Sequence, residues 1–573
     1  MRRAESYNAE SPFNLTRDTE RVLPPRLIVS SARTVAQKWP RACARLLCAL
    51  AALACLAQAA LARDSYARLR WLDALEYRIY LSIPETGDEI SGQTTIVFAL
   101  KSAPPRELPL DFGSLAVEGV TVNGQNANFR RAEEHLFVTL AGAYKVGDPL
   151  NVTVKYHGRP VDGLFFKRNK FGDRTVFADN WPNRAHHWFP SIDHPYDKAK
   201  VEFTVEAPAR YGVVANGRLL DSKAVRDGAR VTRWREDVDI PVYCMVVGAT
   251  DFSVLEAGKF GGTVLSYYLY PKDREKGLHD YGRALRAAEF FTNTVGPYPY
   301  EKLALVQSST RFGGMENSSS IFFDENSYDG SGKLEGTVAH EIAHQWFGDS
   351  VTESDWNHLW LSEGFATYFG ALFFEHADGR ERFLQVMRGA SERYMKDADA
   401  VPRPIYDPAV TDLFKLLNRN NYEKGAWVLH MLRHVMGDEK FFEGVRDYYK
   451  TYRDRNALTE DFQRVMEKHY GRRLDWFFGE WIYKPGFPAY RVRWAWRDHL
   501  KQTCVSVDQA QADTVFRTPL DIEFRTGSEV RRETVNPQKR EQVFCFHQSN
   551  KPQTVSVDPG EWVLKTLTLA EEE

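Results

Sequence analysis

The sequence predicts a multidomain α+β chain, with a β-rich first part, a middle part that alternates helix and strand, and a small β unit at the end. Three observations carry this. Between about Leu69 and Phe252, apolar residues recur at every second position, as in Leu75, Tyr77, Ile79, Leu81 and Ile83 or Leu150, Val152, Val154 and Tyr156, the period of half-buried strands. From Lys272 the spacing becomes helical, through Leu278, Tyr281, Leu285, Ala288 and Phe291. After Pro488 the alternation returns at Tyr490, Val492, Trp494 and Trp496. A chain of 573 residues with 43% hydrophobic content has the length of about three to four domains. Its 75 basic and 77 acidic residues nearly cancel, so no global field or charged tail favours nucleic acid, and no such partner is expected.

Taken in order, residues 1–45 are Arg-rich without periodicity and are read as an unstructured or misassigned extension, with Val35 as an alternative start. Residues 46–62 have the form of a signal peptide. Arg41 and Arg45 flank an apolar run shorter than the ~20 residues that span a bilayer, and Ala60-Leu61-Ala62 fits a cleavage site near Ala62. A secreted or periplasmic protein follows, with transient membrane association only through an uncleaved segment. A lipoprotein at Cys55 is disfavoured by Leu53.

Residues 63–259 form the expected N-terminal β domain, in which Asn123-Gly124 marks a hairpin. Residues 260–488 form the middle domain, with strands at Leu303 to Gln307 and Ile321 to Phe323. Its helices are expected at Lys272 to Thr294, Leu334 to Phe347, Leu361 to His376, Tyr422 to Met436 and Thr459 to Tyr470, the last with Thr459 as N-cap. Residues 489–573 form the small C-terminal β domain. Cys504 and Cys545 lie in short β-like runs there and can pair in an oxidising compartment, whereas Cys244 reads as a buried thiol.

The chemistry is concentrated at His340-Glu341-Ile342-Ala343-His344. Four residues apart on a helix, the two imidazoles share a face, and the glutamate sits beside them. A catalytic zinc takes three protein ligands and keeps one position open. Glu363, nineteen residues after His344 at the start of the next expected helix, is the candidate third ligand; alone it would read as a first-turn glutamate at a helix dipole.

With these residues the sequence resembles the aminopeptidase N family of zinc metallopeptidases, whose pattern is His-Glu-x-x-His, eighteen residues, then Glu. Gly313-Gly314-Met315-Glu316-Asn317 is similar to the family's Gly-x-Met-Glu-Asn motif, and Tyr422-Glu423-Lys424-Gly425-Ala426 to the segment with its catalytic tyrosine. Gly296-Pro297-Tyr298-Pro299-Tyr300 and Trp188-Phe189-Pro190 extend the likeness over about residues 70 to 490. The resemblance implies a saddle-like N-terminal β domain, a thermolysin-like catalytic domain and a small C-terminal β-sandwich. It also implies one Zn2+ per chain on His340, His344 and Glu363, and peptide substrates with a free N-terminus.

On that resemblance Glu341 is the general base, Tyr422 stabilises the oxyanion, and Glu316 anchors the substrate ammonium, with Gly313, Gly314, Met315 and Asn317 lining the substrate. Asp179, five residues before Arg184, takes the place of a Gln or Glu that helps hold the ammonium; its shorter reach, or a plain role in the turn before Trp181-Pro182, are the two readings. His358 is read as packing near the ligands, and His186 and His187 as structural or rim residues. The large helical domain of many relatives has no counterpart after Pro488, so a more open cleft, or one closed by a second subunit, is expected. The rival readings are epoxide hydrolysis at the same zinc and a non-catalytic zinc-stabilised scaffold.

Overall fold

Strand Leu72–Ser82 buries Tyr77, Ile79 and Leu81 and opens the β-rich part. Its alternation is not strict. A bulge between Ala74 and Glu76 turns Leu75 outward, 44% exposed, and leaves Ala74 buried; a bulge adds one residue and so reverses the faces on either side. The computed structural model describes residues 64–225 and 228–572, so the signal-peptide reading of 46–62 lies outside the described residues.

Leu72–Ser82 sits inside an eight-stranded sheet, antiparallel to Ile90–Leu100 and parallel to Lys198–Pro208. A four-stranded sheet (Gly212–Ala215, Val247–Thr250, Arg174–Ala178, Leu164–Arg168) and a three-stranded sheet (Glu107–Asp111, His135–Thr139, Phe129–Ala132) complete this part. Asn123 and Gly124 both have positive φ, as a tight hairpin requires.

The middle part is built on a five-stranded sheet in the order Ser253–Phe260, Thr263–Leu269, Lys302–Ser308, Ser320–Asp324, Gly314–Met315. Ser253–Phe260, assigned by sequence to the N-terminal unit, is hydrogen-bonded into this sheet, so the change of sheet falls at residue 252. Gly314–Met315 is the edge strand, antiparallel to its one neighbour.

The helix expected over Lys272 to Thr294 is two, Arg274–Asp280 and Ala284–Thr294. The chain turns at Tyr281, whose ring is buried and whose carbonyl accepts from the Tyr267 hydroxyl at 3.0 Å. Helices Glu335–His344 and Trp360–Asp378 fall where the spacing places them. Arg380–Met395, Asp438–Tyr452 and Asp475–Trp481 are further helices that the sequence reading did not single out. In helix Thr459–Tyr470 the N-cap is Leu458, not Thr459: Asp461 accepts from the Leu458 N–H at 2.9 Å. The Thr459 hydroxyl instead meets His358 Nδ1 at 2.8 Å and accepts from Trp360 Nε1 at 2.9 Å, a packing role for His358.

The C-terminal part has a four-stranded and a three-stranded sheet, with Phe524 and Phe546 meeting between them at 5.2 Å. Cys504 and Cys545 face each other on neighbouring strands and are disulfide-bonded; Cys244 is a buried thiol. Among the described residues no helix is long and apolar enough to cross a membrane.

Candidate active site

Helix Glu335–His344 brings His340 and His344 onto one face, with their Nε2 atoms 3.0 Å apart. Glu363, in the first turn of Trp360–Asp378, places Oε2 3.3 Å from each. Donors about 2.0–2.1 Å from one tetrahedral ion lie about 3.3 Å from one another, so this triangle has the size of a zinc ligand set. Glu363 Oε2 is buried without a hydrogen-bond partner, an acceptor that a cation would satisfy. The ligands are held from behind. His344 Nδ1 donates to the Phe347 carbonyl at 3.1 Å and lies 3.0 Å from Ser362 Oγ, which leaves the Nε2 lone pair for the site. His340, His344 and Glu363 therefore fit one zinc ion.

Burial alone would raise the Glu363 carboxyl, but His344 and His340 beside it hold it well below the usual range. Burial pushes Glu341 well above the usual range, with Glu316 and Glu363 adding to the effect and His344 opposing it. Glu316, also buried, is pushed up to about 7. Ligand atoms of Glu316, Glu341 and His344 all lie within 4.8 Å of one another, so the two carboxylates face one small volume. Gly314 lies against Glu341: a Cβ there would stand 2.3 Å from its Oε1.

Tyr422 reaches the site through an unusual backbone. Asn420–Lys424 is a π-helical turn, in which the Lys424 N–H bonds to the Arg419 carbonyl at 2.9 Å, before the α-helix Gly425–Met436. Gly425 and Gly364 then meet backbone to backbone, a Cβ on Gly425 falling 2.9 Å from Gly364 Cα. That contact sets Tyr422 beside Glu363, where its hydroxyl donates to Oε1 at 2.7 Å. Burial, then the Glu363 carboxylate, raises the phenol well above its usual pKa, so it stays a donor.

These groups enclose a cavity of about 80 Å³, walled also by Trp181, Phe312, Met315 and Leu417. Leu417 and Tyr422 are shared with a larger adjoining cavity of about 740 Å³ that includes Arg403, Lys415 and Arg419. Gly313, Asn317 and Asp179 do not line the small cavity. Asp179 is buried and ion-paired with Arg184, with Arg311 Nε 4.0 Å from its other oxygen.

Gln345 is a member of the site that the sequence reading did not single out. Its Nε2 donates to the Glu316 carbonyl at 2.6 Å and to Asp349 at 2.8 Å, and its Oε1 accepts from Ser319 N at 2.8 Å and Tyr298 at 3.0 Å. It ties the Glu316 loop to the helix that carries Glu341. Its place directly after His344 is the one signal that could have found it.

Residues 280–481 match the Peptidase family M1 domain, and residues 73–244 match the Peptidase M1 N-terminal domain. The chain belongs to peptidase family M1. Among relatives in M1, it is 28% identical to aminopeptidase M1-D of Oryza sativa subsp. japonica, with 75% of this chain and 52% of the relative covered. It is also 28% identical to tricorn protease-interacting factor F2 of Thermoplasma acidophilum, with 74% and 55% covered. It spans about half the length of the curated relatives it matches. The crystal structure of an M1 zinc metallopeptidase from Deinococcus radiodurans shares the fold, with a TM-score of 0.62, 24% identity, and 73% of this chain and 95% of that one covered.

Proposed function

We propose that this M1 chain is a zinc aminopeptidase that hydrolyses the N-terminal bond of peptides. The observation that carries the reading is the 3.0–3.3 Å triangle of His340, His344 and Glu363, with buried Glu341 and Glu316 beside it. When bound, zinc polarises the scissile carbonyl and lowers the pKa of water. Glu341 accepts a proton from the attacking water as its oxygen bonds to the carbonyl carbon, and gives it to the leaving amine as the C–N bond breaks. The Tyr422 hydroxyl, poised on Glu363, turns its proton to the developing oxyanion, a contribution of about 3 kcal/mol.

Glu316 receives the substrate ammonium. An incoming positive charge would draw its raised carboxyl into the ionised form. Gly314–Met315, at the edge of the five-stranded sheet, offers its free side to the substrate backbone as an added strand. A scaffold would have no need of a buried base, an anchor and a phenol together.

Export and a C-terminal β-sandwich belong to the same reading. The leader pattern of residues 46–62 and the Cys504–Cys545 disulfide support an oxidising compartment, and the two terminal sheets support the sandwich. The test of end recognition compares aminoacyl p-nitroanilides with their N-acetylated forms on zinc-loaded protein. Cleavage of the free-amine compounds alone is expected; equal rates on both, or no cleavage of either, would overturn the proposal.

A further inference from the structure

We propose that Glu134, His186 and His187 hold a second divalent transition-metal ion, zinc by donor chemistry, in the N-terminal β-rich part. The two histidines occupy the 3-10 turn Ala185–His187, with ring centroids 4.2 Å apart. His186 is 7% exposed. Its Nδ1 donates to Asp193 Oδ2 at 2.7 Å, the same oxygen that accepts from its backbone N–H at 3.0 Å. This is the carboxylate–histidine arrangement that fixes a ligating imidazole with its Nε2 lone pair outward.

That Nε2 is buried with no hydrogen-bond partner, and so is His187 Nδ1. Buried ring nitrogens of structural histidines are normally satisfied. Glu134, in the turn between Phe129–Ala132 and His135–Thr139, sets Oε2 3.7 Å from His186 Nε2 and Oε1 3.9 Å from His187 Nδ1. The three ligand atoms lie within 4.8 Å of one another. The two carboxylate separations exceed the ~3.3 Å edge of a tetrahedral set by roughly half an ångström each, and binding would draw the three groups in on the ion, with water in the fourth position.

The surroundings suit a cation. Gly113 makes room, since a Cβ there would stand 2.7 Å from His187 Nδ1, and its N–H donates to the His186 carbonyl at 2.7 Å. The nearby Arg131 guanidinium is spent on the carbonyls of Leu115, Phe112 and Gly113. No residue is shared with the catalytic cavity. The ion would clamp the Glu134 turn to the segment that carries Trp181, a wall of that cavity, five residues before His186. Its role is structural, and imidazole with carboxylate favours zinc over calcium or magnesium.

The test is equilibrium dialysis of the full chain against graded free Zn2+, followed by metal analysis and thermal melting. Wild type is expected to hold two ions per chain, Glu363→Ala one, and the double variant Glu363→Ala/His187→Gln none. His187→Gln alone should hold one ion, keep wild-type peptidase activity, and lose the rise in melting temperature that zinc gives wild type beyond the first equivalent. Glu134→Gln should weaken the second ion by tenfold or more. Saturation of wild type at one ion, or a second ion that persists in His187→Gln, would overturn the proposal. Should Glu363→Ala fail to fold, wild type against His187→Gln decides alone.

Discussion

Gly425→Ala tests how the chemistry is held in place. The added Cβ would stand 2.9 Å from Gly364 Cα and 3.7 Å from Gly364 N, both backbone atoms that cannot rotate away. Ordinary contact spans about 3.4–4 Å, so helices Trp360–Asp378 and Gly425–Met436 must part by roughly 0.5–1 Å at their crossing. Overpacking of this kind costs about 1–3 kcal/mol, offset by the ~1 kcal/mol that alanine gains over glycine in a helix. The larger effect falls on function, because Glu363 and Tyr422 flank the crossing and are joined across it at 2.7 Å. A displacement near 1 Å at reacting groups costs about 10²-fold in rate. The assay is kcat on an aminoacyl p-nitroanilide at fixed zinc occupancy, together with a urea midpoint. Gly336→Ala is the control: its site is open, with nothing within 4 Å of the added Cβ, and it lies on the metal-site helix itself. Expected are a ~10²-fold loss in kcat for Gly425→Ala and near-wild-type behaviour for Gly336→Ala. Equal rates for Gly425→Ala and wild type would refute the reasoning.

Tyr422→Phe should lower kcat by about 10²–10³ with little change in KM, and weaken zinc by up to about tenfold because Glu363 Oε1 loses its donor; steady-state kinetics and zinc dialysis read the two effects separately. Burial, with Asp73 adding, pushes Asp197 up to about 7, so its contribution to stability is complete below pH ~4 and is lost as pH rises through about 7. Asp197→Asn should therefore match wild type near pH 4 and exceed it at pH 8 by up to about 4 kcal/mol in urea unfolding; a pH-independent difference would contradict this. The Cys504–Cys545 bridge closes a separation of 41 residues, worth about 4 kcal/mol in the chain-entropy view. Replacing both cysteines by serine should lower the unfolding midpoint and leave kcat intact.

His340 and His344 were legible because they sit one helical turn apart, a geometry that local spacing encodes; Glu363, which alone reads as a first-turn glutamate, was legible through the family resemblance. Glu316 and Tyr422 were legible through short contiguous motifs. What escaped has a common physical cause: it depends on contacts between segments far apart in the chain. The cavity wall draws Trp181, Phe312 and Leu417 from three such segments, and the Gly364–Gly425 contact belongs to no local pattern. Asp179 shows the converse, since Arg184, its marker in the sequence, is the residue that holds it, and it stays off the cavity wall. Leu75 failed for a local reason, a bulge that period-two reading cannot see. Thr459 had the composition of a cap, but its hydroxyl serves His358 and Trp360.

The central claim, that Glu341 moves the proton at a zinc site that cleaves N-terminal bonds, is tested most directly by Glu341→Gln. Wild type and variant are saturated with zinc, shown by metal analysis to hold equal amounts, and assayed on the same aminoacyl substrate. The variant should keep its zinc and its fold and lose about 10²–10⁴-fold in kcat. Equal kcat at equal zinc would contradict the account.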